Sequence, residues 1–181
     1  MKIKVSELKK ELKEYDQKEL IQLITELFKT SKDVQSILSV KFLGDKATEE
    51  LYSQAKKSIE NEFFPDRGEP KLRLANAKKT ISNFGKLTGH ELKTLDLMLF
   101  YVEQGVKFTN AYGNMYDSFY NSLAMMYDKV TSKCGMEEEY YNHFAERLEN
   151  VLENTVDMDW GFYEELAESY YNTGYPNEDD E

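Results

Sequence analysis

Apolar side chains recur every three or four positions along nearly the whole chain, and the stretches that break this rhythm are short and carry cap or turn residues. Such spacing predicts helices, and alternating strand patterns are missing from the sequence. A first helix is expected over about Ser6 to Tyr15, with Val5, Leu8, Leu12 and Tyr15 on one face. Asp16 then opens a second: its carboxylate can cap the first free amides while Glu19, three residues on, reaches back to the cap. Leu20, Ile21, Leu23, Ile24, Leu27 and Phe28 give that helix a broad face expected to be buried. A third spans about Asp33 to Leu43, using Val34, Ile37, Leu38 and Phe42, with Gly44 suited to a left-handed stop. A fourth, about Lys46 to Phe64, sets Leu51, Ala55, Ile59 and Phe63 four apart on one inner face.

The segment FFPDRGEP, with two prolines and a glycine, must then turn. Beyond it, a fifth helix over about Lys71 to Leu87 aligns Leu74, Ala77, Ile81 and Phe84 and ends at Thr88 and Gly89. The sixth, about His90 to Tyr112, is apolar almost all round in LMLFYV, which is how a helix covered on every side reads. A seventh runs about Asp117 to Lys133 with Gly135 as its expected stop, an eighth about Glu137 to Thr155, and a ninth about Trp160 to Asn172. The closing PNEDDE reads as a disordered acidic tail over residues 176–181. The expectation is an all-α protein of about nine helices in antiparallel hairpins, forming an irregular bundle or a short helical-repeat-like stack. No fixed repeat period is found. One domain over 1–181 is expected, with a possible subdivision into N-terminal helices 1–64 and a C-terminal helical core 71–175.

Charge changes the picture along the chain. Of 23 Lys+Arg and 34 Asp+Glu, giving a net −11, residues 1–93 hold 19 and 15 while residues 94–181 hold 4 and 19. An acidic chain of this kind argues against general nucleic-acid binding, which needs an excess of cations on some surface. Cys134 is the only cysteine, so no internal disulfide can form, and a cytoplasmic setting is expected. The N-terminus, MKIKVSELKKELKEY, turns charged too soon for a secretory signal. The longest apolar run, Leu97 to Val102, falls far short of the roughly 20 residues a membrane span needs, and no membrane association is expected.

Catalytic vocabulary is thin. His90 and His143 lie far apart and outside any zinc-binding or Glu-x-x-His spacing, and phosphate-cradling glycine motifs and nucleophile elbows are missing. No cofactor, metal or catalytic residue is assigned. Two clusters stand out. In PDRGEPKLRLANAKK, the cations Arg67, Lys71, Arg73, Lys78 and Lys79 gather about one turn and one helix, where they either bind an anionic partner or pair with the acidic half of the chain. In FYVEQGVKFTNAYGN, Glu103, Gln104, Asn110 and Tyr112 interrupt a helix that otherwise reads as core. A buried carboxylate needs a partner. Arg67 or Arg73 is expected to supply it for Glu103, or the same polar groups line a ligand groove.

The phrases PDRGEPKLRLANAKKTI, LMLFYVEQGVKFTNAYGN, FYNSLAMMYDK and WGFYEELAESYY resemble an uncharacterised bacterial all-helical family, a domain of unknown function. The resemblance covers essentially the whole chain, implies the helical fold and adds no catalytic residues. The long apolar-then-polar helix and the WGFY phrase are also distantly similar to helical segments beside SWIM-type zinc fingers. The cysteines and histidines of the finger itself are not in this sequence.

The expected function is a non-catalytic helical module binding a protein or peptide, through a groove bordered by Arg67, Arg73, Tyr101, Gln104, Asn110, Tyr120 and Trp160. A small-molecule binder or carboxylate-dependent enzyme built around Glu103, and a self-associating structural protein, are the alternatives. Eleven of the 13 tyrosines follow residue 100. Of these Tyr116, Tyr120, Tyr127, Tyr140 and Tyr141 fall on expected inner faces, leaving Tyr112, Tyr170, Tyr171 and Tyr175 for contacts.

Overall fold

The computed structural model describes residues 2–175, so the expected acidic tail lies outside the described residues. Every regular element among them is helical: α1 Val5–Leu12, α2 Gln17–Thr30, α3 Lys32–Leu43, α4 Asp45–Phe63, α5 Leu74–Thr88, α6 Glu91–Tyr112, α7 Asp117–Met136, α8 Glu138–Glu153 and α9 Phe162–Tyr171. The all-α architecture is therefore the one the apolar spacing predicts. The chain forms two compact units, the first ending at Glu49 and the second beginning at Glu50, a division that falls within α4.

In the first unit α2 and α3 form a hairpin. The Asp16 carboxylate accepts from the Glu19 backbone N–H at 2.8 Å and the Glu19 carboxylate accepts from the Asp16 N–H at 2.8 Å, the reciprocal cap expected there. Gly44 ends α3 at φ 59°, a backbone region that glycine enters without steric cost. The expected burial of the α2 face is not found. No residue of α1, α2 or α3 is buried, and Ile21, Ile24, Leu27 and Phe28 are all largely exposed. Two helices of 14 and 12 residues have too little surface to enclose an apolar stripe between them, so a face with helical periodicity stays in contact with water.

The second unit is built around α6, which packs against α5, α7 and α8, while α7 also takes α8 and α9. Leu97, Leu99, Tyr101 and Val102 of α6 are fully buried, together with Ile59, Phe63, Phe119, Leu123, Tyr127, Phe144, Leu148 and Leu166 from surrounding helices. A helix apolar on nearly every side is thus covered on nearly every side. Gly105 lies where α6 and α7 come closest: a β-carbon there would stand 2.5 Å from both Leu123 methyls.

Three element ends differ from the sequence expectation. Gly135 does not stop α7, which continues to Met136; a β-carbon there would stand 3.4 Å from the Thr173 Cα, an ordinary van der Waals contact. The fifth helix begins at Leu74 rather than Lys71, because Leu72 takes φ 48° and its N–H donates to the Glu62 carbonyl at 2.9 Å. Trp160 precedes α9 with φ 69° and is 64% exposed.

Candidate functional site: the groove between α6 and α8

Asp96 and Glu103 stand seven residues apart on α6, two turns of helix, and so share one face. Arg147 of α8 joins them. Its Nε donates to Glu103 Oε1 at 2.7 Å and its Nη2 to Glu103 Oε2 at 2.9 Å, while Nη1 donates to Asp96 Oδ2 at 2.8 Å. The second Asp96 oxygen accepts from the Tyr52 hydroxyl of α4 at 2.6 Å. One guanidinium thus ties α8 to α6 through the fork geometry that arginine alone offers a carboxylate, and Asp96 in turn ties α4 to the pair. Burial works against the Arg147 charge, but Glu103 and Asp96 outweigh it and hold the guanidinium pKa above its ordinary value.

This pair forms one end of a groove of about 440 Å³ lined by Glu103, Val106, Lys107 and Asn110 of α6 and by Arg147, Asn150, Val151 and Asn154 from α8 and its cap. Val106 and Val151 are buried and supply its apolar part. Asn150 and Asn154 are one turn apart, with Asn110 opposite them. The Asn110 Nδ2 donates to the Asn154 carbonyl at 3.1 Å and the Asn154 Nδ2 to the Asn150 carbonyl at 2.7 Å. Two carboxamides are therefore anchored by their nitrogens, leaving oxygens to accept. Such a wall offers neutral donors and acceptors beside an apolar strip, and both oxygens of its one carboxylate are already engaged.

The eight residues singled out from the sequence fall in four places. Glu103 and Asn110 share the groove. Tyr101 and Tyr120 belong to the core instead of a groove: the Tyr101 hydroxyl lies 2.8 Å from Ser122 Oγ, and burial pushes its pKa up to about 12. The Tyr120 hydroxyl accepts from the Met115 N–H and donates to Asn114 Oδ1, each at 3.1 Å. Gln104 is buried with its Oε1 unpartnered. Trp160 lies by the α6–α7 loop, its indole N–H donating to the Met115 carbonyl at 3.1 Å.

The partner of Glu103 is Arg147, and neither Arg67 nor Arg73 fills that role. Arg73 is held by Glu62 of α4 through two hydrogen bonds of 3.0 and 2.9 Å, across the turn that follows α4. Burial acts to raise the Glu62 pKa, but the Arg73 side chain and backbone N–H outweigh it and hold the carboxyl below its ordinary value. Arg67 lines a separate polar depression with Pro65, Glu69, Lys71 and Arg73. Two aromatic expectations also change. Tyr116, the N-cap residue ahead of the first turn of α7, is largely exposed, and Tyr170 of α9 is buried.

Sequence reasoning missed Arg147, Asp96, Asn150 and Asn154. A signal existed for the first: Arg147 is the sole arginine beyond residue 73, set in an acidic stretch. Among the described residues no three His, Cys, Asp or Glu side chains are grouped to hold a metal ion, and no helix is long and apolar enough to cross a membrane.

A family model described as a family of unknown function (DUF6155) matches residues 3–173. No curated protein and no solved structure matches the chain.

Proposed function

We propose that this chain, which belongs to the family of unknown function DUF6155, is a non-catalytic interaction module that takes an extended peptide segment of a protein partner in the α6–α8 groove. The observation that carries the reading is the state of Glu103: both of its oxygens are bound by Arg147, while the carboxamides of Asn110, Asn150 and Asn154 line an open apolar strip. A general base or nucleophile must reach its substrate, and a carboxylate clamped bidentately by an arginine is held to its ion pair instead. A peptide backbone needs alternating donors and acceptors along its length, and asparagine side chains match it. Residues 50–181 carry 13 Lys+Arg against 25 Asp+Glu, and α8 bears Glu146, Glu149 and Glu153 beside the groove residues, so a segment flanked by Lys or Arg is favoured. A cytoplasmic setting belongs to the same proposal and is supported by the single buried cysteine, Cys134.

The test is selection from a displayed library of random linear peptides on the immobilised chain. Selected sequences are expected to bind the wild-type chain and to lose about tenfold or more in affinity against Asn150→Arg, which fills the groove with a charged side chain. Failure to select any sequence, or equal affinity for the two proteins, removes the reading.

A further inference from the structure

We propose that the α2–α3 hairpin is a self-association surface whose occupant is the same hairpin of a second copy of this chain. Ile24, Thr25 and Phe28 of α2 and Leu38, Ser39, Phe42 and Leu43 of α3 line an apolar depression of about 360 Å³. At its α3 end Phe42 and Leu43 are 76% and 62% exposed. One surface thus holds both a recess and two projecting apolar side chains, which is the requirement of a two-fold contact, where each copy must supply what the other receives.

Area and charge point to the same occupant. With Ile21, the exposed parts of these side chains offer on the order of 500 Å², the larger share of the ~800 Å² each partner contributes to a stable interface. Residues 1–49 hold 10 Lys and 9 Asp+Glu, so two copies of this face meet almost without net repulsion, whereas residues 50–181 are strongly acidic. Charges of both signs are sequence neighbours of the lining residues: Glu26 and Lys29 on α2 and Lys41 on α3. A patch of this size, charge-balanced and rimmed by polar residues, is what an association site leaves exposed in one copy.

Sedimentation velocity on the full chain over roughly 1–100 µM tests the proposal. The wild-type chain is expected to shift from monomer to dimer across that range, and Phe28→Glu and Phe42→Glu to stay monomeric throughout. Met125→Glu, at an exposed position of α7, is expected to dimerise as the wild type does. Should a Glu variant lose its far-ultraviolet helical signal, Ser39→Cys decides: two such cysteines facing across a two-fold axis are expected to cross-link on mild oxidation. A wild-type chain monomeric at the highest concentration, a dimer that survives both Glu variants, or no Ser39→Cys cross-link overturns the proposal.

Discussion

Gly105 has no side chain because Leu123 occupies the space where one would be. A β-carbon at 2.5 Å from two methyls of a fully buried leucine forces a shift, and overpacking of this kind costs about 1–3 kcal/mol. Against this stands the ~1 kcal/mol by which alanine outdoes glycine inside a helix. Gly105→Ala is therefore expected to destabilise the chain by about 1 kcal/mol in urea unfolding, whereas the same change in a Leu123→Ala background stabilises it by up to about 1 kcal/mol. Equal effects in both backgrounds would show that the two residues are not in conflict. Residue-scale signals were legible where they act on their own neighbours. The Asp16–Glu19 cap and the Gly89 stop, at φ 65°, need only three or four residues of context. Gly135 misled, since a glycine near a helix end reads as a stop, yet α7 runs past it to Met136.

Among the elements, α6 carries the chemistry of the second unit because it presents carboxylates two turns apart to a single arginine on α8. Removing that arginine strands Asp96 and Glu103 side by side with no cation between them. Arg147→Met is expected to cost less than the ~3–5 kcal/mol of breaking a fully buried pair, about 2 kcal/mol, because the Arg147 side chain is 31% exposed. Replacing Asp96, Glu103 and Arg147 together by apolar residues of similar volume is expected to restore most of that loss in the same unfolding measurement, since no charge is then left uncompensated. A triple variant as unstable as the single one would mean that the helices depend on the ion pairs themselves. The polar break in α6 was visible in the sequence, and so was its need for a partner. Which cation answers was not, because helical periodicity gives the face a side chain occupies and leaves open which helix lies against that face. Arg147 is reached only through the packing of α8 on α6.

At the scale of the whole molecule, apolar content is spread along the sequence but burial is not. Fully buried side chains are concentrated in the second unit, and α1 to α3 hold none. Amide protection follows burial and cooperativity. Hydrogen exchange on a dilute sample is therefore expected to be faster in α1, α2 and α3 than in α6 and α7 by about a hundredfold or more. Uniform protection would mean that the first unit unfolds only with the rest. The helical class and the number of elements were legible, because local periodicity specifies both. The division near Glu49 was not: it falls inside α4, where no proline or glycine interrupts the pattern, while the strongly marked FFPDRGEP turn lies within the second unit.

The exposed indole of Trp160 has a practical corollary. As the only tryptophan in the chain, and one already largely in water in the folded state, it emits at nearly the same wavelength folded or unfolded and is a poor thermometer of denaturation. It is nonetheless a natural acceptor for light absorbed by the tyrosines packed in the same helical unit. Exciting them and reading the indole turns the fold's own aromatic crowding into a built-in optical ruler, one that goes dark when the helices part.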